Sequence, residues 1–244
     1  MNDLNTSTEA TINDETAIGF IPCYRLPFLS LFHADCMDIM KQYPDKYFDL
    51  AIVDPPFGID AVNSLNTVTG GKKHTHKDWD KKPPSQSYFN ELFRVSNNQI
   101  IFGANYFMDK MPIPSRCWIV WDKNNGESSF ADGELAWTSF DENMKIIKSH
   151  WCGSAAKWET GQNKIHPTQK PEKLYDYIVT HYAKQGDKIL DTHFGSGSIA
   201  LAVDKANRLD KMNLHLTACE IDKEYIDNAI KRISESIKQG TLSF

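Results

Sequence analysis

The last third of the chain constrains the fold most. Lys188-Ile-Leu190 is a short apolar run, and Asp191-Thr-His-Phe-Gly-Ser-Gly-Ser198 follows it as an acid and a glycine turn. A helical pattern then runs from about Ser198 to Ala206, and Leu214 to Cys219 reads as a strand again. Asp222 is placed to cap a helix with Ile226, Ala229, Ile230, Ile233 and Ile237 on one side. Upstream, Pro171 suits a first helical turn, with Leu174, Ile178, Val179 and Tyr182 on one face. Strands alternating with helices predict an α/β fold, a mostly parallel sheet with helices on both faces. A chain of 244 residues fits one large domain of that class.

Two earlier regions have a different character. Phe48-Asp-Leu-Ala-Ile-Val53 reads as a buried strand stopped at Asp54-Pro-Pro-Phe57, because proline cannot continue a sheet ladder. From Gly58 to Pro84 the apolar pattern lapses, and the segment carries Lys72, Lys73, Lys77, Lys81 and Lys82. A stretch of that length without pattern predicts a mobile, functional loop. Gln99–Phe102, Cys117–Trp121 and Leu135–Phe140 read as further strands, and the residues from there to about Lys164 as a mixed aromatic segment with little regular pattern.

The formal charge is −5, which argues against a protein that coats nucleic acid but leaves open a local basic site. The five cysteines are scattered without ligand spacing and read as reduced thiols of a cytoplasmic protein. His74 and His76 stand two apart with no third ligand in view, so no metal is expected. No run is long and apolar enough to span a membrane. Residues 1–18 hold four acids and no base, and read as a flexible tail rather than a targeting peptide.

Three segments carry chemistry. At Asp191–Ser198, glycines let the backbone approach a ligand at the carboxyl end of a strand. The next strand ends in Glu220, placed to accept from ribose hydroxyls, and the lack of GxGxxG disfavours a nicotinamide cofactor. At Asp54-Pro55-Pro56-Phe57, rigid prolines aim the Asp54 carboxylate and the Pro55 carbonyl at one point beside the flat Phe57 ring. That pairing suits an amino-substituted base flipped out of its stack. His166-Pro-Thr-Gln-Lys-Pro171 gathers polar groups at a helix start, where an anionic group such as a carboxylate is favoured. Each segment alone also reads as a turn or a capped loop.

Together these segments resemble the amino-methyltransferase family of DNA-modifying enzymes in its β arrangement, where the catalytic motif precedes the cofactor motif. Leu31-Phe-His-Ala-Asp-Cys36, Ile100–Phe107 and Trp118–Lys123 resemble other motifs of that family, and the likeness runs from about Leu31 to Ile237. It implies a single Rossmann-like methyltransferase domain over 19–244, with a mobile basic loop over 58–84 and a small target-recognition segment over about 140–165. It implies S-adenosylmethionine as cofactor, double-stranded DNA as partner, and adenine N6 as acceptor, with a homodimer as one expected assembly. Asp54, Pro55, Pro56 and Phe57 would be catalytic. Glu220 would hold the ribose, beside Ile221, and Asp35 with Cys36 would lie near the adenine ring. Asp191 and Gly195-Ser196-Gly197 would flank the methionine part, with Thr168 and Lys170 toward its carboxylate and His166 nearby. The family's usual Phe two residues after the acid is His193 here, followed by Phe194, and either ring could line the pocket. The five lysines of the basic loop would meet DNA. Cytosine N4, an RNA adenine, and a non-catalytic nucleic-acid-binding subunit stand as alternatives. Members acting on cytosine more often carry Ser where this chain has Asp54.

Overall fold

A computed structural model describes residues 19–60, 79–112, 114–125, 131–150 and 165–241. The expected tail, Lys72, Lys73, Lys77, His74, His76 and most of the expected target-recognition segment lie outside the described residues. Among those described, no helix is long and apolar enough to cross a membrane.

Nine strands form one sheet: β1 (Tyr24–Leu26), β2 (Leu29–His33), β3 (Phe48–Val53), β4 (Ser96–Phe102), β5 (Trp118–Asp122), β6 (Gly133–Thr138), β7 (Lys145–Lys148), β8 (Lys188–Asp191) and β9 (His215–Glu220). Their spatial order is β1-β2-β9-β8-β3-β4-β6-β5-β7. The run β2-β9-β8-β3-β4 is parallel throughout. β6 reverses direction against both β4 and β5, so the sheet is mixed on that side.

Among the described residues, five helices cover it: α1 (Cys36–Met40), α2 (Gln86–Val95), α3 (Glu172–Tyr182), α4 (Ser198–Leu209) and α5 (Lys223–Thr241). Side-chain alternation along the strands separates two cores. Leu50 and Ile52 of β3 join Leu174 and Ile178 of α3, Ile199 and Val203 of α4, and Ile226 and Ile233 of α5. Ala51 and Val53 face the other way, against Ile39 and Met40 of α1 and Phe89, Leu92 and Val95 of α2. The expected layering of helices on both faces is therefore present. Both faces of the central strands are dry, which is why β3 reads as a nearly continuous apolar run.

Some boundaries differ from the sequence reading. The strand expected at Leu135–Phe140 occupies Gly133–Thr138, and β7 lies in a region expected to have little regular pattern. β7 alternates exposed and covered residues at one edge of the sheet, a weak signal in four residues. Helix α2, with Tyr88, Phe89, Leu92 and Val95 buried, follows directly on the polar segment.

Candidate active site

β3 and β8 are neighbours, with Leu50 opposite Ile189 and Ala51 opposite Leu190. From β3 the chain passes through α2 to β4 on one side; from β8 it passes through α4 to β9 on the other. Connections that diverge from adjacent parallel strands leave a crevice at their carboxyl ends, the general ligand site of such sheets. A cleft of about 220 Å³ opens there, with Asp54 and Pro56 from one tip, His193, Phe194 and Gly195 from the other, and Glu220 from the end of β9.

The turn after β3 is held from two directions. Asp80, itself buried, accepts from the Gly58 N–H through Oδ1 at 2.9 Å, and its carbonyl accepts from the Asp60 N–H at 2.9 Å. Phe57 lies over Gly103, the first residue past β4, where φ is +68°. A Cβ at Gly103 would fall 2.0 Å from Phe57 Cε1, so only glycine lets the ring take this place. Phe57 also stacks on Tyr106, on the short 3-10 turn Ala104–Tyr106.

The second tip is a backbone cradle. Gly195 has φ +51° and donates its N–H to Glu220 Oε2 at 2.9 Å, while Oε1 of Glu220 accepts from the Asp222 N–H at 2.9 Å. Burial raises the Glu220 carboxyl, and these amide donors oppose that rise. Asp191 is 3% exposed and accepts from the His193 N–H at 3.0 Å. Burial pushes its carboxyl up to about 8. Burial likewise pushes His193 down to about 4, so its ring is neutral near pH 7.

The segment before α3 forms a third wall. His166 Nδ1 accepts from the Thr168 N–H at 3.3 Å, and the ring lies 4.2 Å from Tyr225 and 5.6 Å from Trp79, centroid to centroid. Arg232 of α5 fastens this wall to the cradle. Its guanidinium donates to the Ser196 carbonyl, to Ser198 Oγ and to Glu172 Oε1, at 2.9, 3.0 and 2.7 Å.

A row of charges closes the end near β3. Lys170 Nζ lies 2.7 Å from Asp54 Oδ1 and 2.9 Å from Glu134 Oε2, and Lys123 Nζ lies 2.6 Å from Glu134 Oε1. Burial raises the Asp54 carboxyl, with Lys170 pulling the other way. Burial works against ionised Glu134 too, but its two lysines prevail and hold it at about 2. Burial works against charged Lys170, yet Asp54 and Glu134 together raise it above its ordinary value.

Most of the residues expected from sequence converge here. Asp54, Pro56, His166, Thr168, Lys170, His193, Phe194, Gly195, Ser196, Glu220 and Ile221 all line the cleft, so both rings of the His193-Phe194 pair take part. Asp191 lies buried against backbone rather than on the lining, and Asp35 caps α1 through the Met37 N–H at 2.7 Å. Asp35 stays close to Glu220, because the Ala34 N–H donates to the Glu220 carbonyl at 3.2 Å. Lys81 and Lys82 are exposed. Glu134, Trp79, Tyr225 and Arg232 carry no local motif, Tyr106 falls in the Ile100–Phe107 motif without a role assigned to it, and only the hydrophobic spacing of α5 hints that one side of it meets the cradle.

Known proteins share the sequence family and the fold. A family model described as DNA methylase matches residues 103–231, just over half of the chain. The type II methyltransferase M.HinfI of Haemophilus influenzae is 26% identical over 252 residues, covering 84% of this chain and 68% of its own. The PvuII DNA methyltransferase, cytosine-N4-specific, superposes with a TM-score of 0.57 at 15% identity, covering 88% of this chain and 89% of that one. M1.HpyAVI, solved as a complex with S-adenosylmethionine, superposes with a TM-score of 0.52 at 19% identity, covering 84% of this chain and 98% of that one. The protein belongs to the N6/N4 DNA methylase family.

Proposed function

We propose that the protein transfers a methyl group from S-adenosylmethionine to the N6 amino group of adenine in double-stranded DNA. The observation that carries this reading is the position of Asp54. Its carboxylate stands at the tip of β3, in the same cleft as the glycine cradle at the tip of β8.

The residues present fit the cofactor. Glu220 offers carboxylate oxygens for ribose hydroxyls, and Gly195 brings backbone to the wall without a side chain. His166, Trp79 and Tyr225 supply a wall of rings tilted against one another, and Thr168 presents a hydroxyl on the same cleft. When bound, S-adenosylmethionine supplies an electrophilic methyl group. The chain's own residues position the acceptor. The Asp54 carboxylate accepts a hydrogen bond from the amino group, which favours a pyramidal nitrogen over one conjugated with the ring. Phe57 presents an aromatic face to the flipped base. The work is positioning and electrostatics, with no covalent intermediate. Burial raises the thiols of Cys36 and Cys219, Cys36 to about 12, so neither is a ready nucleophile. Exposed Lys81 and Lys82, next to Trp79 at the cleft wall, are suited to phosphate contacts.

The test incubates unmethylated duplex DNA, and a matched RNA, with the protein and methyl-labelled S-adenosylmethionine, then identifies the labelled nucleoside. N6-methyldeoxyadenosine is expected, with Asp54→Ala inactive yet still binding the cofactor. Label in N4-methyldeoxycytidine or only in the RNA, or near-normal DNA methylation by Asp54→Ala, overturns the reading.

A further inference from the structure

The charge row Asp54–Lys170–Glu134–Lys123 joins four distant parts of the chain. Asp54 follows β3, Lys123 follows β5, Glu134 is in β6, and Lys170 precedes α3. Two of its ionic contacts meet at one ammonium group that is 3% exposed. Such burial is stable only where every charge is matched. Here two carboxylates and two lysines balance, and two aromatic rings lie near the Lys170 ammonium. Its Nζ lies 4.7 Å from the centroid of Phe102 and 5.5 Å from that of Phe57. Lys123 is held in turn, with Nζ 4.9 Å from the Trp121 ring.

This arrangement bears on the part expected of Lys170. An ammonium already matched by two carboxylates has little charge left for the carboxylate of a cofactor. Its effect falls on Asp54 instead. Oδ1 of Asp54 is buried and faces Lys170, while the side chain keeps 17% exposure on the cleft.

Taking Asp54 as the group that receives the amino nitrogen of the base, we propose that Glu134 is a positioning residue. Backed by Lys123, it fixes the Lys170 ammonium so that Lys170 locks one oxygen of Asp54 and leaves the remainder of the carboxylate presented to the base. Without Glu134, Lys170 is free to swing and Asp54 to turn with it. The other ionisable groups acting on Asp54 are Asp80 from the turn before α2, Asp191 from β8 and Tyr175 from α3. Of the groups around Asp54, Lys170 favours its ionised form, while Glu134 and Asp80 oppose it.

The test uses the full chain, unmethylated duplex DNA and labelled S-adenosylmethionine. Single-turnover rates are followed from pH 5 to 9, beside the cofactor Kd, the KM for DNA and the melting temperature of each variant. An inactive wild type, or an active Asp54→Ala, overturns the functional reading itself and this inference with it. With an active wild type and a dead Asp54→Ala, Glu134→Gln is expected to lower the rate about tenfold or more, leaving the cofactor Kd and the KM for DNA within about twofold. It is also expected to move the acid limb of the rate profile down by about one pH unit, because the Glu134 charge that opposes ionised Asp54 is gone. Lys170→Gln is expected to move that limb up. If Glu134→Gln melts early, Glu134→Gln/Lys123→Met restores neutrality and reports the same downward movement. Opposite movements of one limb are not produced by a packing role. A limb that stays in place in these variants overturns the inference. So does a rise of more than about tenfold in cofactor Kd for Lys170→Gln at an unchanged rate, which returns Lys170 to the cofactor carboxylate.

Discussion

The rings of Phe57 and Tyr106 are stacked, with centroids 5.1 Å apart and planes 16° from parallel. A gap of that size is one stacking step and holds no third ring. Phe57 is braced by Gly103, whereas Tyr106 is 47% exposed on a three-residue turn. Of the two, Tyr106 is the one free to move for an entering base. Tyr106→Ala is therefore expected to raise the KM for DNA by roughly tenfold, in keeping with about 1–3 kcal/mol for stacking one base. Tyr106→Phe retains the ring and is expected to stay near wild type. Steady-state kinetics on unmethylated duplex DNA decides this, and a Tyr106→Ala enzyme with unchanged KM removes Tyr106 from base binding.

Gly103 makes a second prediction. Gly103→Ala places a Cβ against the Phe57 ring at a φ of +68°, so the chain must strain and the ring must shift. A loss of about 2–4 kcal/mol of stability is expected, a size reserved for clashes and strained backbone. Urea denaturation measures it. The same variant is expected to lose most of its methylation rate while keeping its cofactor affinity, since the cradle lies on a different strand tip.

Asp191 gives a prediction about pH. Its carboxyl titrates near 8 in the folded chain against an ordinary value of 3.8, because it is buried. The folded state thus holds a proton that the unfolded state releases. This group takes nothing from stability below pH 3.8, takes progressively more as pH rises toward 8, and takes no more above that. Asp191→Asn keeps the acceptor for the His193 N–H and removes the titration. Its melting temperature is expected to exceed that of wild type by little at pH 4.5 and by several degrees at pH 8.5, the gap growing by at most about 1.4 kcal/mol per pH unit. Thermal melts across that range check it, and a gap that is flat with pH refutes it.

Arg232 makes the fourth. It ties Ser196 and Ser198 of the cradle to Glu172 of α3. Arg232→Met keeps the stem and removes these bonds, leaving the Glu172 carboxylate without this partner. The cradle is expected to loosen and the cofactor Kd to rise about tenfold, with the KM for DNA little changed. Isothermal titration with S-adenosylmethionine measures the first, and steady-state kinetics the second.

What was legible in the chain was what is local. Phe48–Val53 announced a doubly buried strand by its unbroken apolar run, and Asp54-Pro-Pro marked its end within four residues. The turn after Asp191, the cap at Asp222 and the apolar side of α5 are likewise short-range features, and Asp222 does accept from the Glu224 and Tyr225 N–H groups. Glu134 was invisible for the opposite reason. One acid in a strand of mixed polarity has no signature, and its meaning arises only when β6 turns antiparallel beside β4 and carries it to Lys170. Lys170 is visible as part of a motif, but no spacing along the chain reveals that Asp54 and Glu134 lie within reach of its ammonium. Tyr88, Phe89, Leu92 and Val95 do carry a helical spacing, and the long polar stretch before them masked it.

The pairing of β3 with β8 also sets an order on the birth of this protein. As the nascent chain leaves the ribosome, β4 can zip onto one side of β3 soon after it is made. The opposite side keeps its amide and carbonyl groups unmatched until β8 emerges, well after β4. An uncovered strand flank is a template for aggregation, and slow parallel pairing prolongs its exposure. A chain that stops between β4 and β8 therefore keeps one flank of β3 open to other strands.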